Sequence, residues 1–326
     1  MEETGKIRSI AVLTSGGDAP GMNAALRAVV RGAIASNIRV LGIRRGYSGL
    51  IRGDAFEMNL RSVSDILSHG GTAIYTARSE EFKTEKGVEK AVYTCKSLGV
   101  DAVIVIGGDG SFRGASFLSE HGVPCIGVPG TIDNDIQCSD YTIGFDTAMN
   151  TAMDMIDKIR DTTESHDRCS VVEVMGRRCG DLALNTGIAI GATTILVPEI
   201  EFDFERDIIS KIDFIKHTSK RHFIIIVAEG VGGVSDIAKR IEWETGIASR
   251  TTILGHVQRG GSPTVRDRVV ASAMGYHAVK LLTEGKRNRI VALRRGKLAD
   301  FDIKRALKMK KEFDHDLYNI AMQISI

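Results

Sequence analysis

Two aspartates two residues apart, Asp133 and Asp135, lie in the run Gly127-Val128-Pro129-Gly130-Thr131-Ile132-Asp133-Asn134-Asp135. On extended backbone, positions i and i+2 point the same way. The spacing therefore predicts two carboxylates facing one reacting centre, one accepting a proton and one near a metal. An isolated acidic turn is most often merely solvated, but this one has company. Gly16-Gly17-Asp18 and Gly107-Gly108-Asp109-Gly110 also follow apolar runs directly. Glycines let backbone N–H groups approach an anion closely. Asp109, set between glycines, is a natural magnesium ligand beside cradled phosphates. Arginines at 78, 168, 177, 250 and 259 supply cations for phosphate oxygens. Glu229, just after the apolar run Phe223 to Val227, is placed to accept hydrogen bonds from hydroxyls. His256 and Arg259 fall in a polar, glycine-bearing loop over residues 256–263.

Phosphoryl transfer needs this set: a phosphate cradle, a divalent metal, a base for the acceptor hydroxyl and cations for the transferring oxygens. Hydride transfer would not need so many arginines. A nucleotide sensor would need the cradle but not the aspartate pair. The glycine runs are not GxGxxG, so a dinucleotide fold is not directly indicated. The spacing favours a kinase and does not name the acceptor.

The elements that must position these groups alternate. Ser9–Thr14, Arg39–Ile43, Asp101–Ile106 and Pro124–Val128 read as strands, with helices expected over Asn23–Ala35, around Val63–His69, over Gly87–Leu98 and from Gly107 onward. Arg44 to Leu50 reads as a loop. A long helix over Asp146–Asp161 should carry Ala148, Ala152, Met155, Ile156 and Ile159 inward. Further strands are expected at Ser170–Val174, Thr194–Val197, Phe223–Val227 and Thr251–Leu254, and a helix over Thr264–Glu284. Such alternation requires an α/β fold with mostly parallel sheet, whose ligands bind beyond the carboxyl ends of the strands.

At 326 residues the chain is long enough for two lobes, at a prior of roughly 150 residues per domain. Its net charge of +2 argues against a general nucleic-acid binder. No apolar run reaches the ~18 residues of a membrane span, and the N-terminus lacks the apolar core of a secretory signal. The five cysteines have no CxxC spacing, which suits a reducing cytoplasm.

Taken in order, TSGGDAPGMNAA, YTAR, IGGDGS, PGTIDNDI, IGFDTA, EVMGR, AEGVG and LGHVQRGGSP resemble the bacterial ATP-dependent 6-phosphofructokinase family, from about Lys6 to Ile326. The resemblance implies two doubly wound, mostly parallel lobes, the larger one discontinuous: 1–144 plus 258–308 for ATP, and 145–257 plus 309–326 for the sugar phosphate. It implies Asp133 as the base for the sugar 1-hydroxyl, and Thr131 and Arg177 as groups stabilising the transferring phosphoryl. Asp109 and Asp135 would serve Mg2+ directly or through water. ATP would lie on Gly17, Tyr47, Arg78, Ser79, Asp109, Gly110, Ser111 and Gly114. Fructose 6-phosphate would lie on Thr131, Asp133, Asp135, Met175, Gly176, Arg177, Glu229, His256 and Arg259. Arg168 and Arg250 would come from a neighbouring subunit of a cytoplasmic homotetramer.

Pyrophosphate-dependent relatives place an aspartate and a lysine at the positions of Gly110 and Gly130, so the resemblance implies ATP as donor. For a site binding ADP or phosphoenolpyruvate between subunits, Arg27, Arg31, Asp65, Arg160, Gly191, Lys220 and His222 match the family pattern. Leu60, Thr193 and Thr218 depart from it, replacing two basic residues and a magnesium-binding glutamate. Losing two charge-assisted contacts of about 1.5–3 kcal/mol each would weaken effector binding by several tens-fold or more. Alternatives are a pyrophosphate-dependent phosphofructokinase, a GGDG-containing lipid or NAD kinase, and a non-catalytic nucleotide-sensing subunit.

Overall fold

The computed structural model describes residues 7–217 and 220–325; Lys6 and Thr218 lie outside the described residues. In chain order the elements begin β1 (Ser9–Ser15), α1 (Met22–Ala35), β2 (Arg39–Ile43), α2 (Gly46–Arg52), β3 (Ala55–Met58) and α3 (Glu85–Ser97). Next come β4 (Ala102–Gly107), α4 (Asp109–Glu120), β5 (Cys125–Pro129), α5 (Phe145–Glu164), β6 (Cys169–Val174), α6 (Asp181–Ala189) and β7 (Thr194–Leu196). A π turn over Glu205–Ile209 leads into α7 (Ser210–Lys216), followed by β8 (Phe223–Ala228), α8 (Val234–Thr245) and β9 (Ser249–Ile253). The remainder is α9 (Val265–Thr283), β10 (Arg289–Arg294), β11 (Lys297–Asp302), α10 (Ile303–Ala306) and α11 (His315–Ile324). The chain forms two compact units, Met1–Thr147 with Arg259–Lys311, and Ala148–Gln258 with Glu312–Ile326.

Unit 1 is built on a seven-stranded sheet in the order β11-β10-β5-β4-β1-β2-β3. The five inner strands are parallel; β3 and β11 pair antiparallel at the two edges. β1, β4 and β5 are buried along their whole length. That explains their continuous apolar sequences, since helices cover both faces of a parallel sheet. Each fully buried Val, Leu or Ile there contributes about 1.5–3 kcal/mol relative to exposure. From β1 the chain runs to β2 on one side, then returns to β4 on the other. Strand order therefore reverses between β1 and β4, the place where an open α/β sheet leaves a crevice beyond its carboxyl ends.

Unit 2 carries a four-stranded, wholly parallel sheet in the order β7-β8-β6-β9. Its strand order reverses at β6, with β8 on one side and β9 on the other. One core of this unit gathers Cys169, Val171, Leu196, Phe223, Ile225 and Val227 with Ile208 and Ile212. The isoleucine-rich β8 is the sheet's interior strand next to β6, buried at every position.

Several local expectations are corrected. Of residues 44–50, expected as loop, 46–50 lie in the helix α2. The stretch 63–69 is two 3-10 turns, Arg61–Val63 and Ile66–Ser68, interrupted where Asp65 takes φ of 62°. Met155 is 37% exposed on α5 and Ile159 only half-buried, so that methionine does not pack inward within this chain. The run 256–263 begins as a 3-10 turn over Gly255–Arg259. The Asp133–Asp135 alternation also fails as first drawn. Residues 131–135 form a turn in which Asn134 has φ of 51°, so the two carboxylates are not an extended i, i+2 pair.

Candidate active site

Three loops leave the carboxyl ends of the neighbouring strands β1, β4 and β5, and hydrogen bonds join them. Ser111 Oγ donates to Ser15 O at 3.0 Å, and Gly130 N donates to Gly107 O at 3.0 Å. Thr76 Oγ1 donates to Gly16 O at 2.8 Å and Thr14 Oγ1 to Tyr75 O at 2.8 Å, which fixes the segment leading to Arg78 and Ser79 beside the first loop. Asp109 opens α4, where a carboxylate is favoured by the helix field. Its Oδ2 accepts from Arg113 Nε at 2.9 Å. A Cβ added at Gly110 would meet nothing within 4 Å, whereas one at Gly130 would press on Met22 Cε at 3.0 Å. The space beside Gly110 is open; that beside Gly130 is filled by core. Tyr47 and Gly114 sit behind the cradle. The Tyr47 ring stacks on Phe82, its hydroxyl donates to Ser111 O at 2.6 Å, and a Cβ at Gly114 would meet that ring at 2.7 Å. Burial pushes the Tyr47 phenol well above its usual pKa, so it remains a neutral donor.

Asp133 is 1% exposed at the end of the β5 loop. Its N–H donates to Thr131 Oγ1 at 3.2 Å, and Arg259 Nη2 lies 4.0 Å from its Oδ1. The same guanidinium donates to Asp18 O at 3.1 Å and covers Gly17, where a Cβ would lie 2.5 Å from Arg259 Nη1. Unit 1 thus brings Gly17, Asp109, Gly110, Ser111, Thr131, Asp133, Asp135 and Arg259 to one end of its sheet.

In unit 2 the equivalent end carries Met175, Gly176 and Arg177 after β6, Glu229 after β8 and His256 after β9. Gly176 has φ of 138° and Arg177 φ of 55°, which turns the loop back over the strand ends. Met175 N donates to Gln258 Oε1 at 2.9 Å, Arg177 N to Glu229 Oε2 at 3.1 Å, and Gly180 N to Glu199 Oε1 at 2.8 Å. Gln258, 0% exposed, and Glu199 are loop-holding groups that the sequence reading passed over. The "VQRG" and "VPE" runs were their only signal. Burial pushes the Glu173 carboxyl up, with Glu229 adding to it; burial pushes Glu199 up against the Gly180 hydrogen bond. Arg168 and Arg250 are not gathered here. They flank the amino ends of β6 and β9, where Ser170 registers with Arg250.

The residues expected to hold an effector divide between the units. Arg27 and Arg31 are half-buried on α1 and Asp65 lies between the 3-10 turns. In unit 2, Arg160 Nη2 donates to Ile190 O beside Gly191, and Lys220 is held below its usual pKa by burial and by Arg160. His222 immediately precedes β8. Leu60 is 48% exposed, and Thr193 is buried.

Glycine loops at a strand-order reversal, with a buried carboxylate in the loop after the adjacent strand, define a phosphate-binding protein of the doubly wound α/β class. The profile of the family described as Phosphofructokinase matches residues 9–282. ATP-dependent 6-phosphofructokinases of Clostridium botulinum and Clostridium tetani are 56% and 57% identical over 319 residues, 98% of this chain and 100% of theirs. A phosphofructokinase from Saccharomyces cerevisiae superposes with a TM-score of 0.87 at 36% identity, covering 98% of this chain and 48% of the yeast chain. A pyrophosphate-dependent phosphofructokinase from Marinobacter aquaeolei shares the fold, with a TM-score of 0.84 at 21% identity, over 98% of this chain and 92% of that one. This chain belongs to the phosphofructokinase family.

Proposed function

We propose that this chain transfers the γ-phosphoryl group of ATP to the 1-hydroxyl of fructose 6-phosphate, giving fructose 1,6-bisphosphate and ADP. The observation that carries the reading is Asp133: a residue 1% exposed whose N–H donates to the Thr131 hydroxyl, whose carboxylate lies 4.0 Å from Arg259, and whose loop follows the strand next to those of the two glycine loops. Asp133 takes the proton of the attacking hydroxyl. Thr131 and the Arg177 guanidinium stabilise the oxygens of the group in transit. The loops after β1 and β4 hold the donor's phosphates through backbone N–H groups, with Arg78 and Ser79 alongside. Met175, Gly176, Glu229, His256 and Arg259 orient the sugar phosphate.

Magnesium fits this donor set as a passenger of the nucleotide rather than as a resident ion. Among the described residues no group of three or more His, Cys, Asp or Glu is arranged to hold a metal. One or two carboxylates plus substrate phosphates are what magnesium ordinarily takes, and Asp109 and Asp135 supply them. Bound there, magnesium would neutralise charge on the β- and γ-oxygens.

The open space at Gly110 supports ATP over pyrophosphate, because a nucleotide's α-phosphate needs it. Arg168 and Arg250, at the amino ends of their strands, serve the sugar phosphate of a neighbouring subunit in a homotetramer. No described helix is long and apolar enough to cross a membrane. A coupled assay with ATP, magnesium and fructose 6-phosphate tests the reaction; purified chain that makes no fructose 1,6-bisphosphate ends the proposal. Sizing by light scattering tests the tetramer.

With Leu60, Thr193 and Thr218 in place of charged groups, ADP activation and phosphoenolpyruvate inhibition are weak or altered. Rate curves against fructose 6-phosphate with each effector measure this. Strong sigmoidal inhibition by micromolar phosphoenolpyruvate rejects it.

A further inference from the structure

Gly144 precedes α5 with φ of 102°, and a Cβ there would meet Ala19 Cβ at 2.7 Å. The position that usually caps a helix thus has no side chain and no room for one, and the first N–H groups of α5 need an acceptor from elsewhere. They find it on α9. Asp267, 0% exposed in the first turn of that helix, accepts from Gly144 N at 2.7 Å and Tyr141 Oη at 2.5 Å through Oδ1. Through Oδ2 it accepts from Thr147 N at 2.8 Å and Thr147 Oγ1 at 2.5 Å. A carboxylate has about four lone-pair sites, and these donors fill them. Thr264, the N-cap of α9, accepts from Asp267 N at 3.3 Å and gives its own N–H to Thr147 Oγ1 at 3.0 Å. In a capping box the carboxyl three residues on returns to the cap's N–H. Here it is diverted to the start of a second helix.

The two anchors at 141 and 144 bracket Thr142 and Ile143, and these hold the turn that carries Asp133. Thr142 Oγ1 donates to Thr131 O at 2.6 Å, Thr131 N to Ile143 O at 3.1 Å, and Ile143 N to Pro129 O at 2.9 Å. The first glycine loop leans on the same place: a Cβ at Gly21 would meet Ile143 Cγ2 at 2.8 Å and Asp267 Cβ at 3.4 Å. Every one of these contacts lies within unit 1.

We infer that Asp267 is a positioning residue: by clamping residues 141–147 it fixes the Thr131–Asp133 turn without touching substrate. The kinetic side of this rests on the phosphoryl-transfer reading above. Replacing the carboxylate leaves two backbone N–H groups and two hydroxyls short of acceptors, and the turn loses its brace. A misplacement of about 1 Å costs on the order of 10²-fold in rate.

The experiment compares Asp267→Asn and the milder Tyr141→Phe with wild type in the full chain. It measures kcat and both KM values, and amide hydrogen exchange over residues 129–135, with residues 223–228 as control. For Asp267→Asn, kcat falls by about 10- to 100-fold with KM values little changed, and exchange quickens at 129–135 but not at 223–228. Tyr141→Phe shows the same pattern, weaker. In an Asp133→Ser background, Asp267→Asn lowers kcat hardly further, because the group it positions is gone. A purely stabilising role would lower activity by the same factor in both backgrounds, and that result overturns the inference. So does unchanged exchange at 129–135 in folded Asp267→Asn. Should Asp267→Asn fail to fold, Tyr141→Phe carries both tests. If wild type phosphorylates no sugar, the proposed reaction falls and the exchange comparison alone decides the role of Asp267.

Discussion

At the carboxyl end of the unit 1 sheet, Asp133 is almost fully buried, its N–H on the Thr131 hydroxyl and its carboxylate facing Arg259, whereas Arg177, Glu229 and His256 at the equivalent end of unit 2 are exposed. The strands that carry these groups are parallel in both sheets and both sheets reverse strand order at the relevant place, so topology alone does not separate them. The difference lies in what the end groups are fastened to. A buried group with a fixed orientation has prepaid the ordering that chemistry demands. An exposed side chain on a turned loop keeps more of its freedom until it binds. Variants of Asp133 should therefore show in kcat, and variants of Glu229 in KM for fructose 6-phosphate.

The sharpest attempt to break that contrast is Asp133→Ser. Loss of a general base costs about 10²–10⁴-fold in kcat, with KM for fructose 6-phosphate nearly unchanged; steady-state kinetics would read it, and an unchanged kcat removes the base from position 133. Gly110→Asp comes next. The fold should accept it, because nothing lies within 4 Å of the new Cβ. A like charge against nucleotide phosphates costs several kcal/mol, so kcat/KM for ATP should drop by roughly 10²-fold or more while the melting temperature holds. Glu229→Gln is the smallest. Losing a charged acceptor for sugar hydroxyls, at about 1.5–3 kcal/mol, should raise KM for fructose 6-phosphate roughly tenfold and leave kcat within a few-fold. A kcat loss as large as that of Asp133→Ser would erase the distinction between the units.

Much of this was legible beforehand. The uniform apolar runs of β1, β4 and β8 betray strands buried on both faces, and glycines after the first two mark where phosphate can approach. Other features were hidden for physical reasons. The Gly46–Arg52 helix contains two glycines and reads as loop, yet Gly49 packs so closely on Arg44 that a Cβ would fall 1.7 Å from its carbonyl oxygen. The β10–β11 hairpin turns on Arg295 and Gly296, both at positive φ (50° and 73°), and Arg-Gly is a weak substitute for the usual Asn-Gly signal. β11 itself, KLADFD, is a polar edge strand without an apolar run. Asp133 was found by its type and neighbours, although the extended backbone assumed for it gives way to a turn at Asn134. Asp267 shows in sequence only as a carboxyl three residues after the cap Thr264, and its clamp is hidden because its partners lie 120–126 residues away.

The Arg259 guanidinium rests on Gly17, donates to Asp18 and faces Asp133 at once. A methyl group at position 17 would have to push that cation aside, disturbing the counter-ion of the proton acceptor from across the loop. Mutational drift in the first loop is thereby policed by acid–base chemistry as well as by donor affinity: a chain seeking a new nucleotide there would have to re-tune its proton transfer in the same step.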